Sequence, residues 1–286
     1  MKKYIFSLII LLVFINCDQN LPDIENYSIE TLMSNNRTSG GYFSKDASRL
    51  IYSSDKTGVF NIYEVDLATK KETQKTYSKK ESYFVQGYSP LTNEIIYSAD
   101  KGGNENSHLY LIRNSESIDL TPGEDTKASF FGWTKDQTNM YFQSNSRDPK
   151  YFDLYKIDIK TLETKMIFQN DMAYSYNSIS ENDKYLVFKL SISRNEDKMF
   201  LYDLETRIKI EISNKKANYS GQGFDKNDEN YFYTTNYEGE FYYLMSYNIT
   251  SGERDLVYKT NWDVRNSYLT KNNTYRVISI NEDAKN

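Results

Sequence analysis

A repeat about every 45 residues, a composition weighted toward aromatic side chains, and short runs apolar at every position together predict an all-β fold. The architecture they specify is a β-propeller of four-stranded antiparallel blades, about five complete and a sixth partial. The chain has 286 residues, 38% hydrophobic and 26% charged, which is ample for one large all-β domain. Its 27 Tyr and 15 Phe stand against only 12 Gly and 4 Pro, and aromatic rings pack well on a half-buried pleated surface. The net charge is −5 with acids and bases interspersed, so no basic stripe is present to neutralise a phosphate backbone. Nucleic acid is therefore not an expected partner.

Residues 1–17 differ from all that follow. Lys2 and Lys3 form a positive start, and Ile5 to Ile15 an apolar run too short to span a bilayer comfortably, which is the pattern of a signal peptide. The run ends at Cys17, the only cysteine, and Phe14-Ile15-Asn16-Cys17 resembles a bacterial lipobox, with Phe14 in place of the usual Leu and Asn16 in place of a small residue. The expectation is a lipidated Cys17 holding an exported chain to a membrane of the cell envelope. A lipidated Cys17 leaves neither free thiol nor disulfide, so packing alone must stabilise the fold. The expected organisation is a leader over 1–17, a linker over 18–26 and a propeller over 27–286.

The repeat is anchored by an apolar residue before a short polar turn: Phe43, Tyr88, Trp133, Ile179, Phe224 and Leu269, separated by 45 or 46 residues. The next residue in each copy is Ser44, Ser89, Thr134, Ser180, Asp225 or Thr270, short side chains that hydrogen-bond the backbone of a tight turn. Asp225 to Asn230 begins like a calcium loop but lacks the glycine and distal glutamate such a loop needs. Neither metal nor cofactor is expected.

Each turn leads into a second strand: Leu50-Ile51-Tyr52, Ile95-Ile96-Tyr97, Met140-Tyr141-Phe142, Leu186-Val187-Phe188, Tyr231-Phe232-Tyr233 and Arg276-Val277-Ile278. Successive strand residues face opposite sides, so continuous apolar runs imply burial on both faces, as when a sheet lies between two others. Third strands carry Ile62-Tyr63, Leu109-Tyr110, Leu154-Tyr155, Leu201-Tyr202 and Tyr243-Leu244, and fourth strands include Lys165 to Phe168 and Asp255 to Tyr258. Gly41, Gly87, Gly132 and Gly223 fall on the innermost strands, where small residues are expected to let strands crowd round a central channel. Residues Tyr27 to Met33 read as a strand that joins the last blade to close the ring, an arrangement that protects strand edges. The sixth copy stops after its second strand, from which a longer parent product is expected.

With the repeat in place, several phrases resemble one family. These are Ser98-Ala99-Asp100-Lys101-Gly102-Gly103-Asn104-Glu105, Asp119-Leu120-Thr121-Pro122-Gly123-Glu124, the stretch from Arg147-Asp148-Pro149 to Leu154-Tyr155, and Thr260-Asn261-Trp262-Asp263-Val264. They are similar to the N-terminal propeller of bacterial prolyl oligopeptidase-family serine peptidases, of the dipeptidyl-peptidase IV and acylaminoacyl-peptidase type. TolB-like and WD-type propellers share the strand and turn pattern but not those phrases. The resemblance implies a following α/β-hydrolase domain with a serine nucleophile in a G-x-S-x-G elbow. No such elbow occurs here; Gly87-Tyr88-Ser89-Pro90-Leu91 and Ser220-Gly221-Gln222-Gly223 do not fit it. The single histidine, His108, opens a third strand, where a packed or turn-capping role is expected instead of a triad. No catalytic residue is assigned.

The expected function is the non-catalytic, peptide-admitting part of an exported serine peptidase. The alternative is a free-standing lipid-anchored propeller that binds a protein or peptide through its loops. A propeller glycosidase or sialidase fails because Ser53-Ser54-Asp55-Lys56-Thr57-Gly58 only approaches the box such enzymes carry.

Overall fold

The computed structural model describes residues 27–270, 272 and 274–285; the leader and Cys17 lie outside the described residues. The chain divides into two units, Met1–Asn36 and Arg37–Asn286. In the first, the expected strand over Tyr27 to Met33 is instead the helix α1, Ile29–Met33. Ser28 Oγ caps it by accepting from the Thr31 amide at 3.1 Å, and Glu30 sits in its first turn, both of which favour a helix start.

The second unit is the propeller. Its first sheet orders β1 (Thr38–Phe43), β2 (Arg49–Ser54), β3 (Asn61–Asp66) and β4 (Glu72–Gln74). The second comprises β5 (Phe84–Tyr88), β6 (Ile95–Ala99), β7 (His108–Arg113) and β8 (Glu116–Asp119). The third comprises β9 (Ala128–Trp133), β10 (Asn139–Asp148), β11 (Tyr151–Asp158) and β12 (Thr164–Phe168). The fourth comprises β13 (Ser175–Ile179), β14 (Tyr185–Ser193), β15 (Glu196–Asp203) and β16 (Lys209–Glu211). The fifth comprises β17 (Tyr219–Phe224), β18 (Asn230–Thr235), β19 (Tyr243–Asn248) and β20 (Arg254–Tyr258). The sixth has two strands, β21 (Asp263–Leu269) and β22 (Arg276–Asn281).

Every strand pair is antiparallel, so each sheet is an up-and-down meander. Each of the six repeat anchors is the last residue of an innermost strand. The second strands of the second, third and fourth sheets are buried on both faces as their composition requires, with Leu186, Val187 and Phe188 each 0% exposed, whereas Leu50, Tyr52, Phe232 and the residues of β22 are only half-buried. Four core clusters each bridge one consecutive pair of sheets. Ile51 and Ile62 meet Val85 and Tyr97; Ile96 and Leu109 meet Met140 and Phe142; Leu154 and Phe168 meet Leu186 and Phe188; Val187 and Leu201 meet Tyr231 and Tyr233. Each such side chain contributes about 1.5–3 kcal/mol by leaving water, so the sheet-to-sheet seams hold the unit together.

The crowding expected at the inner glycines is not what the structure contains. A Cβ at Gly41, Gly132 or Gly223 would meet nothing within 4 Å. Backbone conformation is the reason at Gly87 (φ +138) and Gly223 (φ +88), which flank bulges in β5 and β17.

Candidate functional site

The turns set the geometry of one end of the propeller. Ser44, Thr134, Ser180 and Thr270 hydroxyls each accept from the amide five residues on, at 3.0, 3.1, 2.8 and 3.1 Å. Each hydroxyl then donates to a side-chain oxygen two residues on, Asp46, Asp136, Asn182 or Asn272, at 2.6–2.7 Å. Neighbouring turns are tied as well: the Lys135 amide donates to Asp183 at 3.1 Å, and the Glu181 and Asn182 amides donate to Asp228 at 2.9 and 2.7 Å. Asp225 closes its own turn by accepting from the Glu229 amide and Asn230 Nδ2, so its carboxylate is engaged locally.

The opposite end, where innermost strands begin and second strands finish, carries a pocket of about 750 Å³. Its wall comes from three sheets: the β14–β15 hairpin with Lys189, Ser191, Ser193, Arg194 and Asp197, the start of β17 with the end of β18, and the start of β21. Lys189, Asp197 and the start of β17 make a fixed floor. Asp197, 7% exposed, accepts from Lys189 Nζ at 3.2 Å, Ser191 Oγ at 2.9 Å and the Tyr219 amide at 3.2 Å. Asp263 accepts from the Tyr242 amide at 2.9 Å, and the Val264 amide returns a bond to the Tyr242 carbonyl at 2.9 Å. Burial raises the pKa of the Tyr219 phenol, which stays neutral and donates to the Lys215 carbonyl.

Two side chains in this wall are arginines on irregular backbone. Arg194 lies at the tip between β14 and β15, and Arg265 is the extra residue of the β21 bulge, opposite the break between Ser279 and Ile280. A bulge re-aims the side chain it carries. Neither position was singled out from the sequence. A faint signal existed in the span from Phe188 to Leu201, longer than that from Tyr52 to Ile62, which marks a lengthened hairpin.

His108 stands apart from the pocket. Its Nδ1 lies 2.7 Å from Asp119 Oδ2 and its ring stacks near Tyr110, so it joins β7 to β8. No serine hydroxyl hydrogen-bonds it among the described residues. Ser89, in the string that most nearly approaches a nucleophile elbow, is 1% exposed in a turn. The phrase from Arg147 to Tyr155 forms the β10–β11 hairpin, pinned by Arg147 on Asp153 at 2.7 and 2.9 Å, with Asp153 0% exposed.

Residues 92–195 match the model of the dipeptidyl peptidase IV N-terminal region. Dipeptidyl aminopeptidase BIII of Pseudoxanthomonas mexicana is 28% identical over 149 residues, 50% of this chain and 21% of that protein. The chain thus spans about a fifth of that relative's length. Among solved structures, a prolyl endopeptidase superposes with a TM-score of 0.59 at 14% identity, covering 76% of this chain and 34% of that one. An oligogalacturonate lyase in complex with manganese superposes at 0.61 with 15% identity, covering 84% and 71%. At such identities the superpositions speak for the fold alone. The match over residues 92–195 and the sequence relative thus make this chain similar to the dipeptidyl peptidase IV N-terminal region, and the superpositions show that it shares the propeller fold.

Proposed function

We propose that this propeller is the non-catalytic half of an exported peptidase, admitting extended peptide to a catalytic α/β-hydrolase domain and excluding folded protein. The observation that carries the reading is the match of residues 92–195 to the dipeptidyl peptidase IV N-terminal region. The pocket supports it: a concavity of about 750 Å³ walled mostly by hydrogen-bonding side chains suits an extended chain rich in backbone donors and acceptors. Cleavage is assigned to the partner domain because His108, the sole histidine, is engaged by Asp119 and has no nucleophile beside it among the described residues. Peptide is the ligand class suggested by the name of the dipeptidyl aminopeptidase relative. Lipidation at Cys17 would place the propeller in the cell envelope, tethered at the membrane.

The test is the gene itself. An in-frame continuation past the Asn286 codon, encoding further strands and then a G-x-S-x-G elbow, is the expected result. A stop codon followed by unrelated sequence would reject the peptidase reading in favour of a lipid-anchored binding module. The chain alone should release no chromophore from a dipeptidyl p-nitroanilide, and robust turnover sensitive to a serine-directed inhibitor would overturn the assignment of chemistry to another domain.

A further inference from the structure

We propose that the pocket walled by the fourth, fifth and sixth sheets is a carboxylate-binding site, in which Arg194 and Arg265 receive a carboxylate of a bound peptide. The ligand being a peptide rests on the preceding reading; the preference for an anion rests on the pocket alone.

Among the described residues, only Arg194, Arg207 and Arg265 of the arginines make no side-chain hydrogen bond, ion pair or ring contact, and two of these three line this one pocket. The other charges of the wall are already committed. Lys189 is held on Asp197, whose second oxygen takes Ser191, and Asp263 accepts from the Tyr242 amide. Three cations face two carboxylates there, in a chain whose net charge is −5, so the local sign is opposite to that of the whole.

The neighbouring blade supplies the contrast. On the corresponding hairpin of the third sheet, Arg147 is consumed by Asp153, by the Asn170 carbonyl at 3.1 Å and by Asp171 at 3.1 Å. That guanidinium is structural. On the fourth sheet Lys189 performs the neutralising task for Asp197, which leaves Arg194 with its planar donor fork open. Arg265 reaches the same space from a bulge. Two guanidinium forks in one wall with the Ser193, Ser220 and Thr234 hydroxyls are donors that suit a carboxylate. Neither arginine supports a neighbour, so their charge has no structural use in the fold.

The proposal is tested by equilibrium binding to the full chain with three capped peptides. The first is acetyl-Ala-Glu-Glu-Ala-amide, the second acetyl-Ala-Gln-Gln-Ala-amide, and the third acetyl-tetra-alanine with a free C-terminus. Binding of the first assigns the site to acidic side chains, binding of the third to a chain terminus, and either without binding of the second supports it. Arg194→Gln and Arg265→Gln should each weaken that binding by about tenfold or more, the scale of a lost charge-assisted fork, and Arg207→Gln should leave it unchanged. Raising salt from low to high should weaken it severalfold. Equal affinity for the Glu and Gln peptides, absence of binding by both carboxylate peptides, or binding untouched by both pocket variants would overturn the proposal. Equal affinity for Glu and Gln peptides rejects the anion site while leaving the peptide reading standing; a stop codon after Asn286 does the reverse.

Discussion

Tyr231 shows how closely the inner strands are fitted. Its phenol is fully buried, and a Cβ on Gly221 would fall 2.0 Å from the hydroxyl oxygen. The hydroxyl lies beside Ser178 and the Gly223 backbone without reaching hydrogen-bond geometry. Gly221→Ala should therefore cost about 1–3 kcal/mol through overpacking, read as a lower urea midpoint. Tyr231→Phe removes an unpaired buried hydroxyl and should be close to neutral. The double variant should recover part of the loss, because the closest atom is gone while Asn177 Nδ2 and Cβ remain 3.0 and 3.1 Å from the added methyl. Additive losses in the double variant would show that the strain lies in the backbone and not at that oxygen.

At the level of the element, the hydroxyl of Ser44, Thr134, Ser180 or Thr270 that begins four of the turns links an innermost strand to the next. Ser180 is 3% exposed, accepts from the Lys184 and Tyr185 amides at 3.1 and 2.8 Å, and donates to Asn182 at 2.7 Å. Ser180→Ala leaves the Tyr185 amide without its side-chain acceptor, while the Lys184 amide keeps Asn182 Oδ1 at 2.9 Å, and should lower stability by about 1–2 kcal/mol, while Ser180→Thr should restore it. An unchanged midpoint for the alanine variant would mean that water replaces the hydroxyl. A second turn motif recurs between third and fourth strands, where Asp66, Asp158 and Asp203 each accept from the amide three residues on at 2.8 Å. Asp66-Leu67-Ala68-Thr69, Asp158-Ile159-Lys160-Thr161 and Asp203-Leu204-Glu205-Thr206 carried that signal in plain view. Strand identity was legible because both-face burial writes itself as continuous apolar runs. The bulges were not, since a bulge depends on the register of a partner strand.

For the whole molecule, the aromatic composition fixes the alkaline limit. Burial pushes Tyr97 and Tyr233 up to about 12, and pushes Tyr88, Tyr141, Tyr176 and Tyr231 up as well. An unfolded tyrosine releases its proton near pH 10, and the folded ones hold theirs. The unfolded state is then the one that gains by deprotonation, so stability is full below pH 10 and falls as pH rises from 10 toward 12. On the acid side the sign reverses. The Ser44 hydroxyl and the Ser48 amide and hydroxyl hold Asp46 down at about 2, and similar turn bonds lower Asp136, Asp158 and Asp203. That stabilisation is present above the ordinary carboxylate range and is lost as pH falls through it. Melting temperature against pH should thus be a plateau with a steep alkaline edge starting near 10; a flat profile to pH 11.5 would contradict the buried-phenol account.

The sequence by itself determined the propeller, the five complete blades and partial sixth carried by these residues, and the position of each innermost-strand end, because period and turn closure are local properties written in consecutive residues. It did not determine that Ile29–Met33 turns helical, where a capping hydroxyl and an acidic first turn favour a helix start. Nor could it single out Arg194 and Arg265. Their freedom is a property of other residues, namely that Lys189, Ser191 and the Tyr219 amide satisfy Asp197 and that a bulge turns Arg265 into the pocket wall. Only the tertiary structure decides which charges are spent on holding the fold and which remain for a ligand.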